Sequence, residues 1–308
     1  MNKKKLCVIL LTFNHSHLIK STVLSILDQD YKDFDFIISD DCSTDGTWGI
    51  LEELAITYDS IRIFRTTKNM GMSGNANYAF DKSNSEYIAL LHHDDICRSD
   101  IFSKWLSLIE CDDNISFVFN QYKVFNDDLI LKGDINEGII EGRYFLYNYL
   151  LKNWGCIVRG TALIRSKHWK EVGGMREEFG MLADIDLWMR FSSRYAVGYV
   201  PEPLIEIRQD RPLNYPKEYL ETAFSWKRLK ILFEIHASNR KTLIFKNSYL
   251  YYIHWVYFRF RVSGEVLKWL LYGILKRKRY IIATSAEGIN IYEFAIIKLI
   301  RSFLLYLS

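Results

Sequence analysis

The sequence predicts an α/β fold, a mainly parallel sheet flanked by helices, with a C-terminal helical appendage. Three observations predict it. Short apolar runs alternate with segments of helical period from Leu6 to Leu91, as they do where parallel strands are joined by crossover helices. Polar and acidic clusters stand at the carboxyl ends of the runs, at Thr12–Asn14, Asp40-Asp41 and Asp94-Asp95, where open sheets of this kind bind their ligands. After Arg211 the pattern turns helical, basic and aromatic.

The elements can be justified in order. Leu6–Thr12 is almost wholly apolar, as a strand buried on both faces should be. Leu18–Gln29 carries its apolar residues at helical spacing. Phe34–Ser39 is a second strand. It leads into a loop of turn and cap formers, Asp40 to Thr47, and a helix over 47–58. Ile61–Arg65 is a third strand, Gly71–Ser83 becomes helical after a Gly/Ser-rich turn, and Glu86–Leu91 is a fourth strand. Beyond it the sequence predicts a helix over Ile101–Ile109, a strand over Ser116–Val124, a helix over Gly142–Leu151 and a strand over Gly160–Ile164. A helix over Ser166–Val172 stops at Gly173-Gly174. A helix over Ala183–Arg194 and a strand over Ala196–Val200, halted by Pro201, complete a first domain of residues 1–210. Residues 211–308 form the second region.

Composition narrows the class. With 49% hydrophobic and 25% charged residues the chain is an ordinary folded protein, which excludes disorder as the default. Only four prolines interrupt 308 residues, so long helices are easily accommodated. Residues 1–210 carry 23 Lys+Arg against 31 Asp+Glu, whereas the remainder is strongly basic. An acidic front and a basic, aromatic tail suggest two separate tasks. Five cysteines, an odd number with no C-x-x-C pair, argue against a disulfide framework or a zinc site and suit a reducing cytosol. The apolar run that follows the N-terminal lysines ends at Thr12, and no run reaches the ~18 apolar residues of a membrane span.

Three acidic pairs carry the chemistry. Asp94 and Asp95 follow a buried strand directly, and adjacent carboxylates repel unless a cation joins them. Mg²⁺ and Mn²⁺ favour such oxygen ligands together with substrate phosphates. The alternative is a solvated turn. Asp40 and Asp41 end another strand, where a carboxylate can accept from a nucleobase or a ribose, or simply form an Asx turn. Asp184 and Asp186 open a helix, where they suit the helix dipole. In a cleft, one of them would serve as a general base. His92-His93 could touch a metal or ligand. No nucleophile triad, P-loop or dinucleotide fingerprint is present.

Several stretches, taken together, resemble the large inverting glycosyltransferase family 2, which has the GT-A (nucleotide-diphospho-sugar transferase) fold. They are Val8 to Asn14, Ser25 to Tyr31, Asp40 to Thr47, Asn69 to Asn77, His92 to Asp95, Ala183 to Arg190 and Val200 to Leu204. The resemblance covers about residues 6–210. It implies an enzyme that transfers a sugar from a UDP-sugar, or another nucleoside-diphosphate sugar, to an acceptor hydroxyl with inversion, using Mn²⁺ or Mg²⁺. Asp41 would hydrogen-bond the base with Asp40 nearby, and Thr12, Phe13 and Asn14 would line the nucleotide pocket. Asn69, Asn77, His92, His93 and Asp94 would complete the donor site. Asp94 and Asp95 would serve the metal, Asp184 would be the general base, and Asp186, Trp188 and Arg190 would shape the acceptor side.

The sequence departs from the family pattern in three places: His92 stands where Asp is usual, Ala183 where Glu is usual and Cys42 where Gly is usual. The first two admit an alternative, a catalytically weakened nucleotide-sugar-binding module. The family context implies a role in cell-surface polysaccharide or glycan synthesis with a glycan or lipid-linked acceptor. In the tail, Ser248–Phe260, Val266–Lys276 and Glu293–Leu307 are apolar or aromatic, with the basic run Lys276 to Arg279 among them. Trp and Tyr beside Lys and Arg favour a membrane interface. The expected location is therefore the cytoplasm, peripheral on the inner face of the cytoplasmic membrane. A helical subdomain that packs on the first domain or forms a homodimer is the competing reading. The acidic front half argues against a nucleic-acid partner.

Overall fold

Strand β1 (Leu6–Thr12) is buried at every position, and its side chains divide by parity. Cys7, Ile9 and Leu11 join one apolar core, whereas Leu6, Val8 and Leu10 join another. A strand covered on both faces has this period of two. The protein is seen here in a computed structural model that describes residues 4–125, 130–131, 135, 138–151, 156–208 and 226–239.

From β1 the chain runs through α1 (Ile19–Leu27), β2 (Phe34–Asp40), α2 (Thr47–Thr57), β3 (Ile61–Arg65), α3 (Gly71–Phe80) and β4 (Tyr87–His92). The short β5 (Ile96–Cys97) precedes α4 (Ile101–Ile109) and β6 (Ile115–Val124). Then come β7 (Ile130–Leu131), β8 (Gly138–Ile140), α5 (Gly142–Phe145), β9 (Ala162–Arg165) and α6 (Ser166–Val172). Helix α7 (Ala183–Ser192), β10 (Ala196–Ile207) and α8 (Trp226–Asn239) complete the described elements. Among the described residues ten strands form one sheet in the order β3-β2-β1-β4-β9-β6-β10-β5, with β7 on β6 and β8 on β10. The left half, β3 to β4, is parallel throughout. Strand β9 enters antiparallel between β4 and β6, and β6 and β10 are parallel again. The fold is thus α/β with a mostly parallel central sheet, as the alternation predicts.

Register builds the functional rim. Thr12 pairs with Asp40 across β1–β2, and Leu11 pairs with His92 across β1–β4. Three carboxyl ends therefore finish at one level, and the polar residues beyond them converge.

Several boundaries differ from expectation; α1 and α3 end early, at Leu27 and Phe80. Strand β10 does not stop at Pro201 but continues to Ile207. Its register against β6 shifts around Pro203, where the missing N–H would otherwise break the ladder. The helix expected over Gly142–Leu151 is α-helical for one turn and then widens into a π-helical stretch, Leu146–Leu150. Strand β9 begins at Ala162, since Arg159 and Gly160 are both left-handed and cannot extend a strand. Helix α7 ends at Ser192, two residues early.

Helix α8 buries Leu232 and Ile235 in the core that also holds Trp188. Its Asn239 Nδ2 donates to Asp186 Oδ1 at 2.7 Å. By its internal contacts the chain divides into two compact units, Met1–Ile244 and Phe245–Ser308. The tail segments read from Ser248 to Leu307 lie outside the described residues. Among the described residues no helix is long and apolar enough to cross a membrane.

Candidate active site

Two loops are locked together above the rim. Asn14, left-handed at φ 53°, donates its backbone N–H to Ser43 Oγ at 2.8 Å and accepts from the Thr44 N–H at 2.8 Å. Cys42 is also left-handed, at φ 61°. An L side chain in that conformation costs about 1–2 kcal/mol, so glycine would fit the position with less strain.

The adjacent Asp40 and Asp41 have different tasks. Asp40 is fully buried and does not line the cavity described below. Its carboxylate accepts from the Ser43 N–H at 3.0 Å and pairs with Arg65 Nε at 3.3 Å, which fixes the loop. Asp41 does line the cavity. Its Oδ1 accepts from Met70 N–H at 2.8 Å and from Thr66 Oγ1 at 3.1 Å, so the carboxylate is held in place at the wall. Burial pushes both carboxyls above the usual range.

The cavity measures about 230 Å³. Thr12 and Phe13 come to it from the end of β1, and His92, His93 and Asp94 from the end of β4. Asp184, in the first turn of α7, also lines it. The Thr12 hydroxyl is buried with no hydrogen-bond partner among the described residues, as expected of a group that meets a polar ligand.

Asp94 and Asp95 are pushed in opposite directions. Asp95 is buried and does not line the cavity, and burial together with the neighbouring Asp94 raises its carboxyl well above the usual range. Burial would raise Asp94 too, but His93, His92 and His15, whose rings become charged in acid over the range where the carboxyl titrates, outweigh it and leave Asp94 below its usual value. Asp94 is therefore the ionised member of the pair. His93 is pulled down to about 3, mainly by burial, so its ring is neutral. A charged carboxylate beside neutral imidazoles is a donor set that fits a divalent cation.

Other expected site residues serve the framework and do not line the cavity. The Asn69 side chain caps the backbone N–H of Gly71. Asn77 exchanges two hydrogen bonds of 2.9 Å with the backbone of Met175. Trp188 is fully buried against Phe117, ring centroids 4.6 Å apart. Asp186 and Arg190 form a buried ion pair of 2.7 Å, and Arg190 also donates to the carbonyls of Val172 and Gly174.

Six wall residues were not expected: Leu11, Met72, Met181, Asn75, Arg159 and Gly160. Asn75, on α3, donates to the Ser39 carbonyl and accepts from the Ser39 hydroxyl. Arg159 brings an exposed guanidinium to the cavity on a left-handed backbone. Gly160 follows it at φ 75°, and a Cβ there would stand 2.7 Å from His92 Nε2 and 3.3 Å from Asp184 Oδ2. The only sequence signal for the last two was an Arg-Gly step ahead of a strand. Gly160→Ala should therefore displace His92 and Asp184 and lower turnover at least about tenfold, beyond the ~1–2 kcal/mol backbone strain. Gly173→Ala, at φ 80° with nothing near its Cβ, carries the same strain and should leave turnover unchanged. Parallel melting curves and rate measurements on the two variants check this.

The Glycosyl transferase family 2 profile matches residues 7–173, more than half of the chain. The chain belongs to that family. The matched stretch includes Asp41 and Asp94 and stops short of Asp184. The putative glycosyltransferase EpsE of Bacillus subtilis is 26% identical over 210 residues, 67% of this chain and 73% of EpsE. A Campylobacter jejuni GalNAc(5)-diNAcBac-PP-undecaprenol beta-1,3-glucosyltransferase is 31% identical over 155 residues, 46% of this chain and 50% of the relative. The chain thus spans only about half the length of some curated relatives. Among solved structures, S. aureus TarS in complex with UDP-GlcNAc superposes with a TM-score of 0.64 at 16% identity, over 80% of this chain and 69% of that one. Mannosyltransferase PcManGT from Pyrobaculum calidifontis, in complex with GDP-Man and Mn²⁺, gives 0.61 at 15% identity, over 99% and 82%. At these identities the two structures share the fold.

Proposed function

We propose that this protein transfers a sugar from a nucleoside-diphosphate sugar to an acceptor hydroxyl, with inversion at the anomeric carbon. One observation carries the reading: Asp41, Asp94 and Asp184, from three separate segments, line one cavity beyond the carboxyl ends of the sheet. Asp41, anchored by Thr66 and Met70, accepts hydrogen bonds from the nucleotide. Thr12 offers its buried hydroxyl, and Arg159 faces the diphosphate with positive charge. Asp184 takes the proton of the attacking hydroxyl. Asp94 would hold Mn²⁺ or Mg²⁺, and a cation there stabilises the charge that grows on the departing diphosphate.

The relatives support an acceptor class. The C. jejuni protein and an E. coli UDP-Glc:alpha-D-GlcNAc-diphosphoundecaprenol beta-1,3-glucosyltransferase are both named for undecaprenol-linked substrates. A lipid-linked glycan acceptor for cell-surface polysaccharide is the matching reading here. It would bring the protein to the inner face of the cytoplasmic membrane, with the basic tail as the contact.

Equilibrium binding of UDP and GDP to the full-length protein tests the donor half. Asp41→Asn removes a charged acceptor worth about 1.5–3 kcal/mol. It should weaken binding of the preferred nucleotide by about 10–100-fold. Equal affinity in the variant would remove Asp41 from the site.

A further inference from the structure

The loops after β1 and β2 each contain a left-handed residue that is not glycine, Asn14 at φ 53° and Cys42 at φ 61°. Asparagine tolerates this conformation better than cysteine does. The strain at Cys42 is worth roughly 5–30-fold in an equilibrium, and it persists only where surrounding contacts impose it. Thr12 and Phe13 stand just before Asn14, Asp41 stands just before Cys42, and all three line the cavity. The contacts that impose the strain therefore also set the geometry of the nucleotide wall.

Those contacts converge on Arg65, the last residue of β3, which pairs with Asp40 in the β2–β3 register. Its Nε stands 3.3 Å from Asp40 Oδ2, and its Nη2 donates to the Ser43 carbonyl at 2.5 Å. The guanidinium lies over the Trp48 ring, 5.3 Å from the centroid, which orients it further. Asp40 in turn accepts from both the N–H and the hydroxyl of Ser43. Ser43 Oγ accepts from the Asn14 N–H, which ties the second loop to the first. One guanidinium thus holds Ser43 directly through its carbonyl and indirectly through Asp40, and these two residues bracket Asp41 and Cys42. None of Arg65, Asp40, Ser43 and Asn14 lines the cavity.

We infer that Arg65 is a positioning residue for the donor: it holds Asp41 and Cys42 in the strained loop conformation that binds the nucleotide, without touching the nucleotide itself. The inference rests on the proposed transferase reading. The Arg65 side chain is 38% exposed, so its loss should disturb the loop far more than the core. The Asp40 carboxyl, which has no exposed surface, adds a signature in pH. Burial pushes it up, the Ser43 hydrogen bonds and the Arg65 charge hold it down, and Asp45 of the same loop pushes it up. Without Arg65 it moves further up, so on acidification the loop loses its carboxylate at a higher pH than in the wild type. Asp41, also pushed up by burial, titrates in both proteins, and the difference between them reports Asp40.

Calorimetric titration of UDP and GDP into the full-length protein tests the inference, on wild type, Arg65→Met, Arg65→Lys, Cys42→Gly and the Arg65→Met/Cys42→Gly double variant. At neutral pH Arg65→Met should bind the preferred nucleotide about tenfold less tightly, the scale of the strain left unopposed, with a melting temperature close to that of the wild type. Arg65→Lys keeps the charge but loses the two-pronged grip, and should fall between the two. Rescue separates positioning from a general loss of structure. Glycine removes the strain that Arg65 opposes, so Cys42→Gly should recover most of the loss in the Arg65→Met background and change little alone. On acidification Arg65→Met should lose affinity at a higher pH than the wild type. Wild-type affinity in Arg65→Met, a loss that Cys42→Gly does not relieve, or a pH profile parallel to that of the wild type overturns the inference. Should Arg65→Met fail to fold, Arg65→Lys with and without Cys42→Gly makes the same comparison. Any of the overturning results beside a wild type that binds nucleotide leaves the transferase reading standing, whereas a wild type that binds neither nucleotide sinks both.

Discussion

Asp184→Asn is expected to lower turnover by about 10²–10⁴-fold, the range over which a positioned general base contributes, with nucleotide affinity and melting temperature unchanged. Asp184 is the carboxylate of α7 that lines the cavity, and its Oδ2 and His92 Nε2 both border the space beside Gly160. It stands in the first turn of the helix, where the helix dipole favours a negative charge. Asparagine keeps the shape and cannot take a proton. The prediction separates chemistry from binding: steady-state rates should collapse while calorimetry with nucleoside diphosphate gives the wild-type affinity. An equal loss of both would make Asp184 a donor-binding residue instead.

Two positions along the same helix, Asp186→Ala should unfold the protein more readily by about 3–5 kcal/mol, the range for breaking a buried pair from one side. Asp186 has no exposed surface. It accepts from Arg190 Nε at 2.7 Å, Asn239 Nδ2 at 2.7 Å and Arg176 Nη1 at 3.3 Å. Burial already pulls the Arg190 guanidinium downward, and the Asp186 charge opposes that pull. Without Asp186, the Arg190 charge stays buried with only the Val172 and Gly174 carbonyls to accept from it. Helix α8 loses its Asn239 anchor at the same time. At roughly 2–4 °C per kcal/mol for a unit of this size, the midpoint should fall by roughly 10 °C. A variant that melts with the wild type would show that the pair holds nothing together.

These two residues also show where sequence reading stops. The β-α alternation and the rim were legible because parallel strands are written as unbroken apolar runs, and the polar clusters begin where the runs end. Which member of an acidic pair faces the ligand is decided by rotation about an axis. Residues two apart on an α-helix point about 200° away from each other, so Asp184 reaches the cavity while Asp186 meets Arg190. At the ends of β2 and β4 the turn makes the same division, Asp41 and Asp94 outward to the cavity, Asp40 and Asp95 inward. Trp188 and Arg190, read as acceptor-side residues, stand in the core because all of α7 is buried. Arg159 and Gly160 lie in an irregular segment without periodicity, and their left-handed backbone has no signature beyond a single glycine.

The most direct measurement is release of nucleoside diphosphate from a panel of nucleotide sugars, with Mn²⁺, with Mg²⁺ and with chelator, by wild type and Asp184→Asn. Slow hydrolysis of the donor needs no acceptor, so the assay does not depend on knowing it. Cation-dependent release from one donor, lost in Asp184→Asn, is the predicted result. A wild-type protein that neither binds nor cleaves any nucleotide sugar would contradict the account at its centre.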